Sequence, residues 1–292
     1  MSTFESRKKS RELNEKLIKL ALISAAAISI LTTFGILFSI LFEAIEFFKL
    51  RSFWYFITGA TWSPGVIGSQ FGALPIFAGT FVITIIALGV AIPVGLGSAI
   101  YMSEYASANI RDYLKPLLEI LAGIPTVVYG FFAAITVAPL VVQIAEFFGL
   151  EATFNSALAS GVVMGIMIIP VISSLSDDVI RAVPDSQRKA AFALGMTHGE
   201  TIKNIVLPSA MPGIISASLL GLSKALGETM IVVMAAGLRP NLSWNPLDDM
   251  TTVTVTIVNS LVGDFEFNSP ETLSAFALGL MLFIVTLILN MI

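Results

Sequence analysis

The chain has 292 residues, of which 56% are hydrophobic and only 12% are charged. A soluble protein of this length would carry about a quarter of charged residues, so the composition excludes an ordinary soluble domain. The apolar stretches are long and do not alternate with polar residues, which favours membrane helices over barrel strands. The absence of cysteine and the single histidine, His198, exclude disulfides and a histidine-rich metal site. We therefore expect an all-α polytopic membrane protein.

The N-terminal region predicts a basic tail followed by one membrane span. Residues 1–19 contain six Lys and Arg residues, and residues 20–42 contain no charged residue, which is enough apolar length for one helix. Residues 43–75 are polar and aromatic, and we expect their aromatic rings to anchor a connection in the headgroup layer. Residues 76–292 form the predicted core.

Five further spans are predicted in this core, separated by polar connections. They cover approximately residues 76–101, 117–142, 157–175, 210–237 and 272–292. Six membrane helices in total place both termini on one side of the bilayer. Twelve of the sixteen Lys and Arg residues lie on that side, three lie on the other, and Lys224 lies within a span. By the positive-inside rule, the N-terminal side is cytoplasmic.

Two patterns within the spans predict local contacts. Pro125 supplies no backbone donor and frees a carbonyl in mid-membrane, so a neighbouring polar group has to satisfy it, and Thr126 and Tyr129 are the expected partners. Gly161 and Gly165 have a spacing typical of close contact between two helices.

A polar segment between the fourth and fifth spans, residues 184–214, predicts two short helices in succession. Gly195 is expected to end the first, because glycine adopts left-handed backbone angles without a Cβ clash. Thr197 and Glu200 have the spacing of a capping box, which starts the second helix. Pro208 is expected to end that helix.

The same segment resembles the EAA loop of ABC-transporter permeases, the coupling helix that docks on the ATP-hydrolysing subunit in that family. The resemblance rests on an alanine pair, a glycine four residues later and a distal Leu-Pro pair, with Lys189 where the family has glutamate. We call residues 184–214 the coupling loop. The resemblance implies that the ATPase is contacted by Lys189, Ala190, Ala191, Gly195, Thr197, Glu200, Leu207 and Pro208.

Lys224 and Glu228 are two charged residues near the middle of the fifth predicted span. An ionisable side chain at that depth costs about 3 kcal/mol, so it is expected to face a protein interior or a wet pathway. The i, i+4 spacing predicts that both lie on one helix face. They are either a self-neutralising pair or part of a transport pathway, and we favour the pathway because a purely structural span requires neither charge.

The chemistry of this pair suits an oxyanion. A lysine ammonium attracts an anion, and a carboxylate can accept a hydrogen bond from an oxyanion that still carries a proton. Phosphate keeps a proton near neutral pH whereas sulfate keeps none, so the pair favours phosphate.

Four motifs together resemble the C-type permease subunit of phosphate ABC transporters. They are F-G-A-L-P at 71–75, S-E-Y at 103–105, L-A-G-I-P-T-V-V-Y-G at 121–130 and K-A-L-G-E-T at 224–229, where lysine replaces the family's arginine. The resemblance implies a type I ABC permease fold. It places the translocation pathway at the charged pair and its neighbours, supported by the Pro125 region: Lys224, Glu228, Thr229 and Ser223, with Pro125, Thr126 and Tyr129.

The chain has no Walker A pattern, so ATP has to be bound by another subunit. The resemblance implies that this chain binds no cofactor and no metal, has no catalytic residue, and leaves ATP and Mg²⁺ to two partner ATP-binding subunits. It also implies a heterodimer with a second phosphate permease subunit, a periplasmic or surface phosphate-binding protein and a place in the bacterial plasma (inner) membrane, with no nucleic-acid partner. A permease for sulfate or molybdate and a proton-coupled secondary transporter remain as alternatives.

Overall fold

A computed structural model describes residues 2–65, 68–262, 266 and 268–291, with side chains from residue 14 onward. These residues include six helices that are long and apolar enough to span a membrane: Asn14–Leu50, Leu74–Tyr105, Thr126–Phe147, Ala157–Ala182, His198–Leu226 and Pro270–Met291. The predicted all-α architecture with six spans is therefore confirmed. The basic side chains of the tail before residue 14 lie outside the described part.

The helices are numbered in chain order. They are α1 (Ser2–Leu50), α2 (Phe53–Thr58), α3 (Leu74–Ile100), α4 (Ala108–Gly123), α5 (Thr126–Phe132), α6 (Ala138–Phe147), α7 (Ala157–Ala182), α8 (Asp185–Ala193), α9 (His198–Thr201), α10 (Leu207–Leu226), α11 (Met230–Ala235), α12 (Val253–Leu261) and α13 (Pro270–Met291). Two short strands, β1 (Trp62–Ser63) and β2 (Gln70–Phe71), pair antiparallel. Three π-helical turns interrupt or extend these helices: Tyr101–Tyr105, Ala133–Val137 and Ile202–Val206.

The connection after the first span contains a small aromatic core. Phe47, near the end of α1, packs edge-on against Phe56 and Phe71, with ring centroids 5.4 and 5.5 Å apart. All three side chains are buried, whereas Trp54 is exposed. Membrane-surface anchoring is thus the wrong interpretation for Phe56, because its ring is packed between α1 and the strands.

The pair α3 and α7 forms the centre of the helix bundle. A Cβ atom at Gly165 would lie 2.7 Å from the Ala87 carbonyl oxygen, and one at Gly161 would lie 2.7 Å from Ile86. The two backbones therefore approach more closely than any larger residue would allow. The predicted Gly-x-x-x-Gly contact is confirmed, and it matters because lipid tails compete with apolar side chains but cannot reproduce such close packing.

The predicted bounds of the third span, residues 117–142, are wrong. Ile124 and Pro125 have extended backbone angles, with ψ of 128° and 139°, and they separate α4 from α5. The residue before a proline avoids the helical region because the proline ring would clash with it. The span is therefore Thr126–Phe147, and α4 is a separate amphipathic helix with no buried residue.

The break at Pro125 is repaired by a tyrosine. The Tyr129 hydroxyl donates a hydrogen bond of 2.9 Å to the Leu121 carbonyl oxygen, four residues before the proline. This is the carbonyl that would have accepted the missing proline N–H, so the expected polar partner is present. The Thr126 side chain makes no such bond to the described residues.

Part of the connection between the last two spans, 238–271, lies inside the protein rather than in a polar loop. Val253, at the start of α12, is fully buried and its N–H donates to the Thr80 hydroxyl of α3 over 3.0 Å. Thr251 and Thr252 are also buried, and the Thr251 carbonyl lies against Gly79. This segment is tied to the core helix α3.

Replacing Gly165 by leucine is expected to destabilise the protein, because the new side chain has to separate α7 from α3. Overpacking a core typically costs about 1–3 kcal/mol. Gly89→Leu is the matched control, since a Cβ at Gly89 meets nothing within 4 Å. The thermal midpoint of the purified protein in detergent should fall for Gly165→Leu and stay near the native value for Gly89→Leu. Equal midpoints would contradict the close contact.

Candidate translocation site and coupling loop

The coupling loop folds as two helices joined by a glycine turn. α8 ends at Ala193, and Gly195 has a φ of 83°, which lies in the left-handed region. An L-residue with a Cβ is strained there, so the glycine fixes the place where the chain turns. The predicted role of Gly195 as the end of the first helix is confirmed. The sequence also favours Asp185 or Ser186 as the N-cap of the first helix, and this prediction is wrong, because the N-cap position is Pro184.

A capping box starts the second helix of the coupling loop. The Glu200 carboxylate accepts a hydrogen bond of 2.8 Å from the Thr197 backbone N–H, and the Thr197 hydroxyl accepts one of 3.3 Å from the Glu200 N–H. These two bonds satisfy backbone donors that the first helical turn leaves free. The predicted capping box at Thr197 and Glu200 is confirmed.

Pro208 does not end the second helix, contrary to the prediction. α9, the π turn Ile202–Val206 and α10 form one continuous helix from His198 to Leu226. In the π turn the Leu207 N–H bonds to the Ile202 carbonyl, five residues back. The wider turn makes room for the proline ring, which would otherwise clash with the preceding turn. The fifth span therefore continues from the coupling loop as one helix.

The coupling loop exposes one face and buries the other. Lys189 and Ala190 are exposed, Ala191 is buried and Leu207 is half-buried. An open groove between the two helices has mixed apolar and polar walls, formed by Gln187, Ala190, Ala191, Leu194, Met196, Asn204, Ile205, Pro208 and Ser209. Among the described residues, no carboxylate lies within ion-pair distance of Lys189.

The helix of the fifth span stops just before its second charged residue. α10 ends at Leu226, and Gly227 is its C-cap. The backbone then turns before α11 begins at Met230. The prediction that Lys224 and Glu228 share one helix face is therefore wrong, because the helical repeat does not extend across Gly227. No ion pair joins these two described side chains.

Glu228 is buried and holds the start of α11. One carboxylate oxygen, Oε1, accepts hydrogen bonds from the backbone N–H groups of Met230 (2.9 Å) and Ile231 (3.4 Å). The Glu228 backbone carbonyl accepts a 2.7 Å hydrogen bond from the Thr254 hydroxyl of α12. No described group donates to the other carboxylate oxygen, Oε2. Glu228 thus fixes the helix break and keeps one oxygen free.

Lys224 lies in the last turn of α10 and is half-buried. Its ammonium has no hydrogen-bond or ion-pair partner among the described residues. The neighbouring Ser223 hydroxyl donates to the Asn290 side chain of α13 over 3.0 Å. Thr229 follows Glu228 in the break and is also half-buried. The four residues predicted for the pathway therefore lie within seven positions around one interruption of the span.

The ends of the two helices stabilise these charges without an ion pair. A cation is stabilised at a helix C-terminus and an anion at an N-terminus, by about 0.3–1 kcal/mol each in exposed positions and more when partly buried. Lys224 occupies the C-terminal turn of α10, and Glu228 precedes the N-terminus of α11. The helix break therefore reduces the cost of both charges and leaves the ammonium open to a ligand.

Two contacts near these sites are absent from the sequence-based interpretation. Thr254 lies in a segment predicted as a polar connection, although the apolar run T-T-V-T-V-T-I-V at 251–258 could have indicated a buried element. Glu104 and Arg188 form an ion pair across 84 positions of sequence, and no local pattern marks such a pair.

The chain matches a family of membrane transport components. The family described as binding-protein-dependent transport system inner membrane component matches residues 91–292. Because the match covers more than half of the chain, the chain belongs to this family. It is a multi-pass membrane permease subunit, and its relatives are transport components rather than enzymes.

Relatives within this family carry more particular names. The chain is 32% identical to the phosphate transport system permease protein PstC 1 of Mycobacterium tuberculosis, over 85% of this chain and 82% of that protein. It is 33% identical to PstC of Mesorhizobium japonicum, over 91% and 84%. It is 32% identical to the probable ABC transporter permease protein YqgH of Bacillus subtilis, over 96% and 90%. The family resemblance read from the sequence is confirmed.

Solved structures show the same fold at low sequence identity. A bacterial ABC transporter involved in the import of the acidic polysaccharide alginate superposes with a TM-score of 0.63 and 16% identity, over 96% of both chains. The MetNI methionine ABC transporter, in inward-facing conformations, superposes with a TM-score of 0.53 and 16% identity, over 75% of this chain and 89% of that chain. The predicted ABC permease fold is confirmed.

Removing the Glu228 carboxylate is expected to destabilise the break between α10 and α11. In Glu228→Ala, two backbone N–H groups at the start of α11 lose their acceptor, which costs roughly 1–3 kcal/mol. Glu228→Gln keeps an oxygen in the same place and should cost less. Denaturation of the purified protein in detergent measures both variants. If alanine and glutamine give the same stability, the carboxylate does not hold the helix start.

Proposed function

We propose that this chain is a permease subunit of an ATP-driven importer of inorganic phosphate. The assignment of phosphate as the substrate rests on the similarity, over most of the chain, to proteins named as phosphate transport permeases. The Lys224 ammonium and the Glu228 Oε2 atom, which have no hydrogen-bond partner among the described residues and flank the same helix break, support it. One group attracts the anion, and the other accepts a hydrogen bond from its remaining proton.

Phosphate would cross the membrane at the break between α10 and α11. Lys224 is the cationic contact, and Ser223 and Thr229 offer hydroxyl groups on either side of it. Non-helical backbone at membrane depth is tolerated where it is buried in protein or lines a water-filled cavity. The break at Pro125 supports this region, because α5 packs against α11 through Gly130, whose Cβ would lie 3.0 Å from the Met230 carbonyl oxygen.

The working unit we propose is a heterodimer of this chain with a second phosphate permease. Two ATP-binding subunits hold ATP and Mg²⁺, and an external phosphate-binding protein delivers the cargo. The ATPase contacts are Lys189, Ala190, Ala191, Gly195, Thr197, Glu200, Leu207 and Pro208. The loop faces the cytoplasm of a bacterial cell, as does the N-terminus, on the basis of the Lys and Arg distribution.

Alternating access follows from the continuity of the coupling loop with the fifth span. ATP-driven closure of the ATPases moves the loop, and the continuous helix from His198 to Leu226 carries that motion to Lys224. The permease then opens to the outside, receives phosphate from the binding protein and releases it inward after hydrolysis. This chain positions and binds the anion, while the partner subunits bind and hydrolyse ATP.

Uptake of labelled phosphate into vesicles that hold this chain with its candidate partners tests the proposal. We expect uptake that requires ATP at the ATPase side and that excess sulfate does not reduce. Competition by sulfate or molybdate would point to a different oxyanion. Uptake that follows a proton gradient and ignores ATP would contradict the assignment to an ATP-driven importer.

The Lys224→Met variant is expected to lose phosphate affinity, because methionine keeps much of the stem and removes the charge. A hydrogen bond to a charged group contributes about 1.5–3 kcal/mol, so the apparent affinity should fall about ten- to hundredfold. Lys224→Arg keeps the charge and should retain most of the affinity. Concentration-dependent uptake measures both variants, and equal affinity for methionine and arginine would remove Lys224 from the pathway.

Glu228→Gln separates the candidate oxyanions. The amide can replace the carboxylate oxygen that caps α11, but its NH₂ group is a donor and cannot accept the proton of hydrogen phosphate. We therefore expect a strong loss of phosphate uptake at unchanged assembly of the complex. Full retention of phosphate uptake would show that the Glu228 carboxylate does not accept the proton of hydrogen phosphate.

A further inference from the structure

The end of α3 and the coupling loop are joined by a buried ion pair. The Arg188 guanidinium of α8 lies 2.8 Å from the Glu104 carboxylate, which belongs to the π turn that follows α3. Their side chains are only 16% and 6% exposed, unlike the more open pair formed by Lys115 and Asp178. Burial removes the solvent screening that makes surface ion pairs weak.

Arg188 contacts three segments at once. Besides Glu104, it donates to the Ile180 carbonyl oxygen over 2.9 Å and to the Val183 carbonyl oxygen. These carbonyls belong to the last turn of α7 and to the residue after it. The planar fork of arginine permits several such bonds in a fixed geometry. One guanidinium therefore links the end of α3, the end of α7 and the start of the coupling loop.

The second helix of the coupling loop reaches the same point. The His198 ring donates from Nε2 to the Glu104 backbone carbonyl over 3.1 Å. The Tyr105 ring lies edge-on to the His198 ring, with centroids 5.2 Å apart, and the Phe192 ring is stacked with the His198 ring at 6.2 Å. We call Glu104, Tyr105, Arg188, Phe192 and His198 the latch.

The latch is a polar and aromatic connection of α3 to the coupling loop, next to the apolar contact of Ala99 with Val206 and Ala210. The loop continues directly into α7 on one side and into α10 on the other, whereas α3 is far from it in sequence. We propose that Glu104 is a positioning residue that makes α3 move with the coupling loop. The π turn at Tyr101–Tyr105 supports this role, since such turns occur frequently at functional sites. The inference rests on the proposed function, because it assigns a path for the motion that the ATPases impose.

The first test measures phosphate transported per ATP hydrolysed in vesicles that hold the assembled complex. In Glu104→Gln we expect ATP hydrolysis to persist while the transported phosphate per ATP falls about tenfold, within the usual range of coupling between sites. Asp178→Asn is the matched control, because it removes an ion pair between α4 and α7 that does not involve the loop. If both variants keep the native ratio, the latch does not couple.

A second test follows the motion itself. The chain contains no cysteine, so cysteines introduced at Val94 of α3 and Ser186 of α8 can carry a pair of spin labels in a complex with cysteine-free partners. With the latch intact, we expect the distance between the labels to stay the same when ATP and vanadate are added. In Glu104→Gln the distance distribution should broaden and shift. The same distribution in both proteins would overturn the proposal.

A milder variant covers the case in which Glu104→Gln does not assemble. His198→Ala removes one hydrogen bond and two ring contacts but leaves the ion pair, so a smaller loss of coupling in the same direction is expected. A native transport ratio in His198→Ala together with failed assembly of Glu104→Gln would overturn the proposal, because the contact would then be purely structural. Loss of ATP-dependent uptake in the unmodified complex would instead contradict the proposed function.

Discussion

A membrane helix cannot leave its backbone polar groups unpaired, because the hydrocarbon core offers no water to satisfy them. Two breaks among the described helices are repaired by particular side chains. The Tyr129 hydroxyl satisfies the Leu121 carbonyl freed at the proline, and the Glu228 carboxylate satisfies the N–H groups of Met230 and Ile231. The two repaired breaks lie on neighbouring elements, since α5 packs against α11. The constraint on the backbone therefore determines the irregular region at which we propose that the anion binds.

The lipid bilayer also determines how the helices pack. Lipid tails are as apolar as leucine, so helices associate through close backbone contact and small residues rather than through hydrophobic burial alone. α7 uses Gly161 and Gly165 to approach α3, and Gly213 of α10 receives Val179 of α7 at a distance that a Cβ atom would not allow. α7 is thus the central helix, and its last turn leads directly into the coupling loop. The coupling loop is therefore continuous with a helix that contacts most of the described bundle.

Charged side chains divide into a paired group and an unpaired one. At the coupling-loop end of the bundle, Arg188 pairs with Glu104, and Lys115 pairs with Asp178, whose hydrogen bond raises the pKa of the Lys115 ammonium above its usual value. These pairs hold segments that are distant in sequence. At the helix break, Lys224 has no such partner among the described residues. Paired charges fix the geometry of the coupling end, whereas the unpaired ammonium is available to an anion.

The sequence alone determined the number of spans and the turn at Gly195, because apolar length and backbone conformation are local properties. The family also followed from the sequence, through short motifs that need no tertiary information. Tertiary structure decided where the fifth helix ends. It also decided that this helix continues through Pro208. A helical repeat predicts one face for Lys224 and Glu228. Hydrogen bonds from the start of α11 to the Glu228 carboxylate, and from Thr254 of α12 to the Glu228 backbone carbonyl, stabilise a break instead. The ion pair between Arg188 and Glu104 could not be predicted from the sequence either, since contacts between distant segments depend on how whole helices pack.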